Sequence, residues 1–378
     1  MKARTIATVA AVLFSQVAGW ACTTVVVGRK ASATGHVIVG HNEDTGTDCT
    51  FARFLVPAAE WPAGARLPAE KGLAAVPQAP RTQGFYWLEV RDGEGRGVSP
   101  CDAAYNRSGV LVVSNNALCE PCDEPSRLVD GGVLYCVRRA VAERARSARD
   151  AVDVVTNLVA AWGYANPGRI YTLADGEEAW QVTVLYGKRF VARRCPDDRV
   201  TLTANCCTVR TFEPGDILSD DLREIGGRDF DFSRTFQKRG SWLSGHYLPR
   251  WRNLARIFTG RADWDDERLP FAVTPSGRVD AAWVRRALST HYEGTRDEIP
   301  VRTDGRRHDE SIRTPVCRDY TLFSSVWTLA ARPEETLLDL AAGSPCGHPY
   351  HRSRPLADPL PESQTGANAA RALAAHFE

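Results

Sequence analysis

Beyond its first two dozen residues the chain has no apolar run approaching the roughly 18 residues that a membrane-spanning helix needs. It has almost no net charge, a formal +1 with both signs interspersed, so it lacks the basic face that nucleic acid would require. It carries no internal repeat, no His-Glu-x-x-His and no Gly-x-Ser-x-Gly, which removes the common zinc-protease and serine-hydrolase readings. The glycines at Gly93, Gly95 and Gly97 have neither the spacing nor the following helix of a dinucleotide site. No nucleotide site is therefore expected.

What is present begins with a leader. A basic start (Lys2, Arg4) precedes an apolar stretch from Ile6 to Ala18, and small residues stand at Gly19 and Ala21. That outline is a secretory signal with cleavage after Ala21. Residues 1–21 are then a signal peptide and 353–378 a strap or tail, while 22–352 are long enough for one large domain or two modest ones. The product is expected to be secreted or periplasmic and free of the membrane once the signal is removed. The sequence is silent on its oligomeric state.

Cleavage makes Cys22 the first residue, with a thiol and an α-amine on one side chain and backbone. An α-amine titrates near ~7.7–8.0, so it can take the thiol proton at neutral pH without a separate histidine. The thiolate would attack an amide carbonyl, and donors such as Asn side chains must hold the resulting oxyanion. Two other fates compete for Cys22: an ordinary bridge cysteine and a lipidated one. Gly19 and Trp20 fit the lipidation pattern poorly, and an acylated amine could no longer act as base.

Eleven cysteines are present, at 22, 49, 101, 119, 122, 136, 195, 206, 207, 317 and 346. In an exported protein most should pair. If Cys22 stays free, the other ten can form up to five bridges, and vicinal Cys206 and Cys207 should have different partners. A zinc site built from Cys119-x-x-Cys122 and Cys346-Gly-His348-x-x-His351 is the competing reading.

Strand signals run through 23–28 and 36–40, which read as a hairpin, then 85–90, 109–114, 169–173, 179–185, 189–193 and 199–203. Helical periodicity marks 134–146, 148–162 and 279–292, and a fourth short helix is expected over 334–341. Residues 57–80 read as a surface excursion rich in Pro, Ala and Gly. Strands, then helices, then strands make an α+β fold. Trp242, Trp251 and Trp264 are expected in the core or a pocket wall. Read alone, Glu43 and Asp44 would be turn or cap carboxylates, Asn205 a turn residue and Arg250 a surface arginine.

The opening Cys22-Thr23-Thr24-Val25-Val26-Val27-Gly28-Arg29-Lys30-Ala31-Ser32, with Gly40-His41-Asn42-Glu43-Asp44-Thr45-Gly46, resembles the dipeptidase A family of cysteine peptidases. These are N-terminal-nucleophile hydrolases, similar to secernins, penicillin V acylases and bile-salt hydrolases. Ala204-Asn205, Val209-Arg210-Thr211, Asp231-Phe232-Ser233, Pro249-Arg250-Trp251, Leu269-Pro270-Phe271, His291-Tyr292-Glu293-Gly294-Thr295 and Val326-Trp327 extend the resemblance over nearly the whole mature chain.

The resemblance implies one hydrolase domain over 22–352, an αββα four-layer sandwich, and hydrolysis of dipeptides or other short peptides without a metal or cofactor. It implies Cys22 as nucleophile and base, Asp44 at its amine or thiol, and Asn205 at the oxyanion or amine. Arg250 would be the arginine near the thiol, with Arg252 the fallback, and Asn116 a second oxyanion donor. His41 stands where relatives often carry arginine, so activity is expected to lean acidic or to rely more on Arg250. An N-acyl amide hydrolase with the same centre, and a disulfide-stapled binding protein on the same fold, are the alternatives.

Overall fold

The computed structural model describes residues 22–45, 48–68, 71–117, 119, 127–225, 230–237, 247–265, 268–300 and 315–375, with backbone alone at 98–101. The leader, Cys122 and Trp242 lie outside the described residues, as does the side chain of Cys101. The first strands are β1 (Thr23–Val27), β2 (Ile38–Asp44), β3 (Thr50–Val56), β4 (Ala59–Glu60), β5 (Arg81–Thr82), β6 (Phe85–Arg91), β7 (Gly97–Asn106) and β8 (Leu111–Asn116). After two helices follow β9 (Tyr164–Ala174), β10 (Ala179–Gly187), β11 (Phe190–Arg194), β12 (Val200–Thr203) and β13 (Ile217–Leu218). The last strands are β14 (Ala272–Val273), β15 (Thr321–Thr328), β16 (Leu337–Ala341) and β17 (His351–Ser353). The helices are α1 (Cys136–Arg144), α2 (Ala148–Trp162), α3 (Asp220–Ile225), α4 (Phe232–Phe236), α5 (Leu248–Thr259), α6 (Ala281–Leu288) and α7 (Gly366–Ala375).

Two antiparallel sheets face each other. The first has the order β14-β12-β1-β2-β15-β16-β17, the second β13-β11-β10-β9-β8-β7-β6-β3. Between them Val26, Val39, Leu88, Tyr105, Val113 and Trp327 form one buried layer. Outside the first sheet, Trp251, Leu254, Phe258, Val284 and Leu288 of α5 and α6 cover Val25, Val27 and Leu202. Outside the second, Val141, Val152, Val155 and Val159 of α1 and α2 cover Trp87, Val112 and Val182. Helix, sheet, sheet and helix make an αββα four-layer sandwich. Val25, Val26 and Val27 are completely buried because both faces of β1 are covered. Each such valine contributes about 1.5–3 kcal/mol through loss of water contact.

Local sequence explains the main helices. Ser147 caps α2 by accepting from the Asp150 N–H, and Gly163 ends it at φ 78°. Pro249 opens α5 and left-handed Gly260 closes it. Asp280 caps α6 by accepting from the Trp283 N–H. No described helix is long and apolar enough to cross a membrane.

Several expectations need correction. Residues 337–341 form strand β16, not a helix: β15 pairs with Leu337 to Ala341, and Asp339 binds Arg285 and Arg352 while Leu338 packs between the sheets. Leucine-rich propensity loses here to pairing with a buried strand. The helix expected over 279–292 stops at Leu288, because Glu293 accepts from Thr290 and from the His291 backbone and turns the chain. Strand β2 runs on to Asp44, so His41 to Asp44 are within the sheet rather than after it. The excursion over 57–80 is anchored, with Leu67, Ala74 and Val76 buried. The tail is anchored too, through Ala369 and Leu373 of α7.

The expected disulfide framework is not formed among the described cysteines. Cys136, Cys195 and Cys206 are buried in three different apolar clusters, where a thiol packs as a small hydrophobe. Cys119 and Cys207 touch at 3.9 Å without a bond. The two halves of the competing zinc reading do not come together among the described residues either: Cys119 lies against Cys207, whereas Cys346 lies against Cys317 and His291.

Candidate active site

Pairing of β1 with β2 sets Thr23 opposite Asn42 and Thr24 opposite His41. Side chains alternate, so one face of this hairpin looks at the second sheet and the other at α5 and α6. Val26 and Val39 mark the inner face, Val25 and Ile38 the outer. Cys22, Thr24, His41 and Glu43 therefore fall on the inner face, and Thr23, Asn42 and Asp44 on the outer. Gly40 permits close helix packing, since a Cβ there would stand 2.4 Å from Val284 of α6. That approach lets Asn42 Nδ2 donate to the Leu288 and Val316 carbonyls and pins the strand end.

On the inner face the groups form a buried chain. The Cys22 thiol donates to Glu43 Oε1 at 3.4 Å. Glu43 Oε2 meets His41 Nε2 at 3.0 Å, and His41 Nδ1 meets Thr24 Oγ1 at 2.8 Å. Thr24 donates onward to Asn115 Oδ1 of β8 at 2.7 Å. A hydroxyl has one proton, so Thr24 must accept from His41 Nδ1–H. The proton between Nε2 and Glu43 then belongs either to an imidazolium beside a carboxylate or to a carboxylic acid beside a neutral ring. Cys22, His41, Glu43, Thr24 and Asn115 are all at most 3% exposed.

The thiol itself is pushed well above its ordinary range, first by burial and then by the negative charges of Glu43 and Asp44. The Asp44 backbone N–H and the Arg169 guanidinium act the other way. Arg169, in β9, donates to Ser114 Oγ, Tyr164 Oη and Asn116 Oδ1 and lies over the Tyr135 ring. It is the cation opposite the sulfur, supplied by the other sheet.

On the outer face Arg250 of α5 is completely buried and grips the start of β1. It donates to the Cys22 carbonyl at 3.0 Å and Thr23 Oγ1 at 2.9 Å, and to the Ala204 carbonyl and Asn205 Oδ1. Asn205 follows β12 with φ 61°, a left-handed conformation, and donates to the Asn116 carbonyl at 2.7 Å. Asp44 accepts from Thr321 Oγ1 at 2.6 Å and lies 3.3 Å from Arg318 Nε. Burial raises its carboxyl to about 6, against the opposing pull of Arg318, Thr321 and Arg250. Asp44 Oδ2 is the oxygen of that ion pair and accepts no hydrogen bond of good geometry among the described residues.

Six expected residues thus converge on one end of the sandwich: Cys22, His41, Asp44, Asn116, Asn205 and Arg250. Their contacts differ from expectation in detail. Arg250 holds the carbonyl of Cys22 rather than its sulfur. Asp44 offers the sulfur its backbone N–H, while its carboxylate faces Thr321 and Arg318. Arg252 is directed elsewhere, to Asp297 at 2.6 Å, which removes it as a substitute. Trp251 is core and Trp264 packs edge-on against it at 5.3 Å.

Glu43, Arg169 and Arg318 are site residues that the sequence reading left out. Glu43 was recoverable from hairpin parity alone, since the residue opposite Cys22 shares its face. Arg169 and Arg318 carry no local signal. Cys22 Sγ, a His41 nitrogen and a Glu43 oxygen lie within 4.8 Å of one another, so a thiophilic cation could occupy this end and block the sulfur.

A profile of peptidase family C69 matches residues 136–336. A probable dipeptidase of Salmonella dublin is 24% identical over 295 residues, 73% of this chain and 67% of that protein. A dipeptidase of Bifidobacterium longum is 24% identical over 344 residues, 78% of this chain but only 62% of its own length. A probable dipeptidase B of Lactococcus lactis is 24% identical over 296 residues, 73% of this chain and 61% of that protein. The chain thus spans less than two thirds of the length of the last two relatives. Penicillin V acylase from Agrobacterium tumefaciens aligns in three dimensions with a TM-score of 0.45 and 14% identity, over 85% of this chain and 82% of that one.

Proposed function

The chain belongs to peptidase family C69, and we propose that it is an exported cysteine dipeptidase that works through an acyl-enzyme on Cys22. The observation that carries this reading is the surrounding of Cys22: a buried thiol with an acidic acceptor, an opposing guanidinium and an arginine-held carbonyl, at the position where the leader would end. The relatives named as dipeptidases supply the substrate class.

In the chain as encoded, the Cys22 nitrogen is an amide and has no basic lone pair. A thiol raised by burial beside two carboxylates is then inert. Removal of Met1 to Ala21 creates an α-amine one residue from the sulfur. It accepts the thiol proton, directly or through water, and the thiolate attacks the peptide carbonyl carbon. The Asp44 carboxylate, steadied by Arg318 and Thr321, is the acceptor assigned to the ammonium, and Arg250 fixes the carbonyl end of the same residue. The oxyanion is met by the carboxamide of Asn205, with Asn116 beside it. One such donor contributes ~3–4 kcal/mol to the transition state. The ammonium proton leaves with the amine of the C-terminal amino acid as the C–N bond breaks. Water, deprotonated by the same α-amine, then cleaves the thioester and restores the thiol.

The reading is tested by assaying the chain processed at Cys22 against dipeptides and N-acyl amino acids in parallel. Free amino acids from dipeptides, at a rate lost in Cys22→Ser, are expected. Preference for the N-acyl compounds makes the protein an amide hydrolase with another pocket. Turnover of neither, with both variants equal, leaves a binding protein.

A further inference from the structure

The catalytic steps leave one oxygen of Glu43 without a partner. Its Oε2 is engaged by His41 Nε2 at 3.0 Å, and its Oε1 faces the Cys22 thiol at 3.4 Å. The thiol is the one donor to Oε1 among the described residues. Once the thiol proton has passed to the α-amine, Oε1 is a carboxylate oxygen with no donor and a thiolate beside it. Glu43 is 2% exposed, so bulk water cannot replace the lost bond. A buried carboxylate in that state costs free energy until a cation or a donor reaches it.

The oxygen is also fixed in place. His41 is tied through Thr24 to Asn115 of the second sheet, at 2.8 and 2.7 Å, and pairing of β2 with β15 sets Glu43 opposite Phe323. In a dipeptide the α-nitrogen lies ~2.5 Å from the scissile carbonyl carbon. That carbon must come within ~3–3.5 Å of the sulfur for attack. A charge-assisted N–H···O bond spans ~2.7–2.9 Å. With Sγ and Oε1 3.4 Å apart, one substrate meets both distances at once.

Electrostatics select the same group. After burial, the Glu43 charge does most to hold the thiol in its protonated form. A substrate ammonium on Oε1 cancels that opposition when the carbonyl is seated. The nitrogen of an N-acylated substrate carries no charge, and its acyl group would be forced against the carboxylate.

Resting on the dipeptidase reading, we infer that Glu43 Oε1 receives the α-ammonium of the residue whose carbonyl Cys22 attacks. Glu43 is then the residue that restricts hydrolysis to substrates with a free amino group next to the scissile bond. N-terminally blocked peptides and N-acyl amino acids lack the cation it requires.

The test compares a dipeptide with its N-acetyl derivative on the chain processed at Cys22, in wild type and in Glu43→Gln. Wild type should favour the free dipeptide by ~100-fold or more in kcat/KM, and Glu43→Gln should bring the ratio within ~10-fold by losing rate on the free dipeptide alone. Equal slowing of both substrates overturns the assignment and leaves Glu43 a partner of the Cys22 amine or thiol. Wild-type turnover of the two substrates at equal rates overturns it too, while the dipeptidase reading survives. Turnover of neither overturns both together. A second measurement needs no variant: alkylation of Cys22 by an α-amino chloromethyl ketone and by its N-acetyl derivative, each divided by its rate with free cysteine. The thiolate displaces chloride and forms the C–S bond in both cases. The free amine should be faster by ~10-fold or more, and equal rates overturn the assignment.

Discussion

The two faces of the β1–β2 hairpin use charge in opposite ways. The inner face carries groups that can exchange a proton: the Cys22 thiol, Glu43, His41 and the Thr24 hydroxyl, each within 3.4 Å of the next. The outer face is held by guanidiniums that keep their proton, Arg250 on the Cys22 carbonyl and Arg318 beside Asp44. One residue along a strand changes the face and, with it, the task. Chemistry faces the gap between the sheets, and positioning faces the helices. Cys22 belongs to both, through its sulfur on one side and its carbonyl on the other.

The largest break in this comparison should come from the outer face. Arg250→Met leaves the Cys22, Ala204 and Asn205 oxygens without their shared donor. Denaturant unfolding should show a loss of about 3 kcal/mol, and residual folded enzyme should be ~100-fold or more slower. On the inner face Glu43→Gln keeps the shape but removes the acceptor charge beside the thiol. Alkylation of Cys22 should become faster at fixed pH, because a negative neighbour that raises the thiol is gone, while peptide turnover falls ~10–100-fold. Faster turnover would place Glu43 outside the chemistry.

Asp44 sharpens the comparison through pH. Its carboxyl sits at about 6, so the anion needed at the Cys22 amine is lost as the pH drops through that value. The wild-type rate should fall on the acid side with a limb near 6. Asp44→Asn should be slow throughout and lack that limb. The same shift acts on stability with the opposite sense. A raised carboxyl stabilises the fold fully below its ordinary value of 3.8, and that contribution is lost as the pH rises through about 6. The smallest effect is expected from His41→Arg, which exchanges the imidazole partner of Glu43 for a permanent cation. A pH–rate profile that broadens on the alkaline side supports a protonic role for His41, and a profile identical to wild type removes it.

Much of this was legible in the chain. Cys22, the hairpin, Asn205 and Arg250 were all expected at one place, because strand ends and sequence blocks are local features. The partition between faces was only half legible. Parity from Cys22 across the hairpin puts Glu43 on the nucleophile's face and Asp44 on the other, but placing His41 to Asp44 after the strand rather than within it hid this. Arg169 was out of reach, since nothing within residues 164–174 tells which sheet will stack over Cys22. Arg318 follows a stretch without strand or helix signals and gains its place only when β15 pairs with β2. Residues 337–341 failed for the same reason in reverse: leucine favours helix locally, and the neighbouring strand decided otherwise.

The most direct measurement is dipeptide turnover by two otherwise identical chains, one beginning at Cys22 and one retaining Ala21 before it. The account predicts hydrolysis by the first and a loss of about a thousandfold or more in the second, whose Cys22 nitrogen is an amide and cannot take the thiol proton. Equal turnover by both chains would contradict it, because the base would then have to be another group.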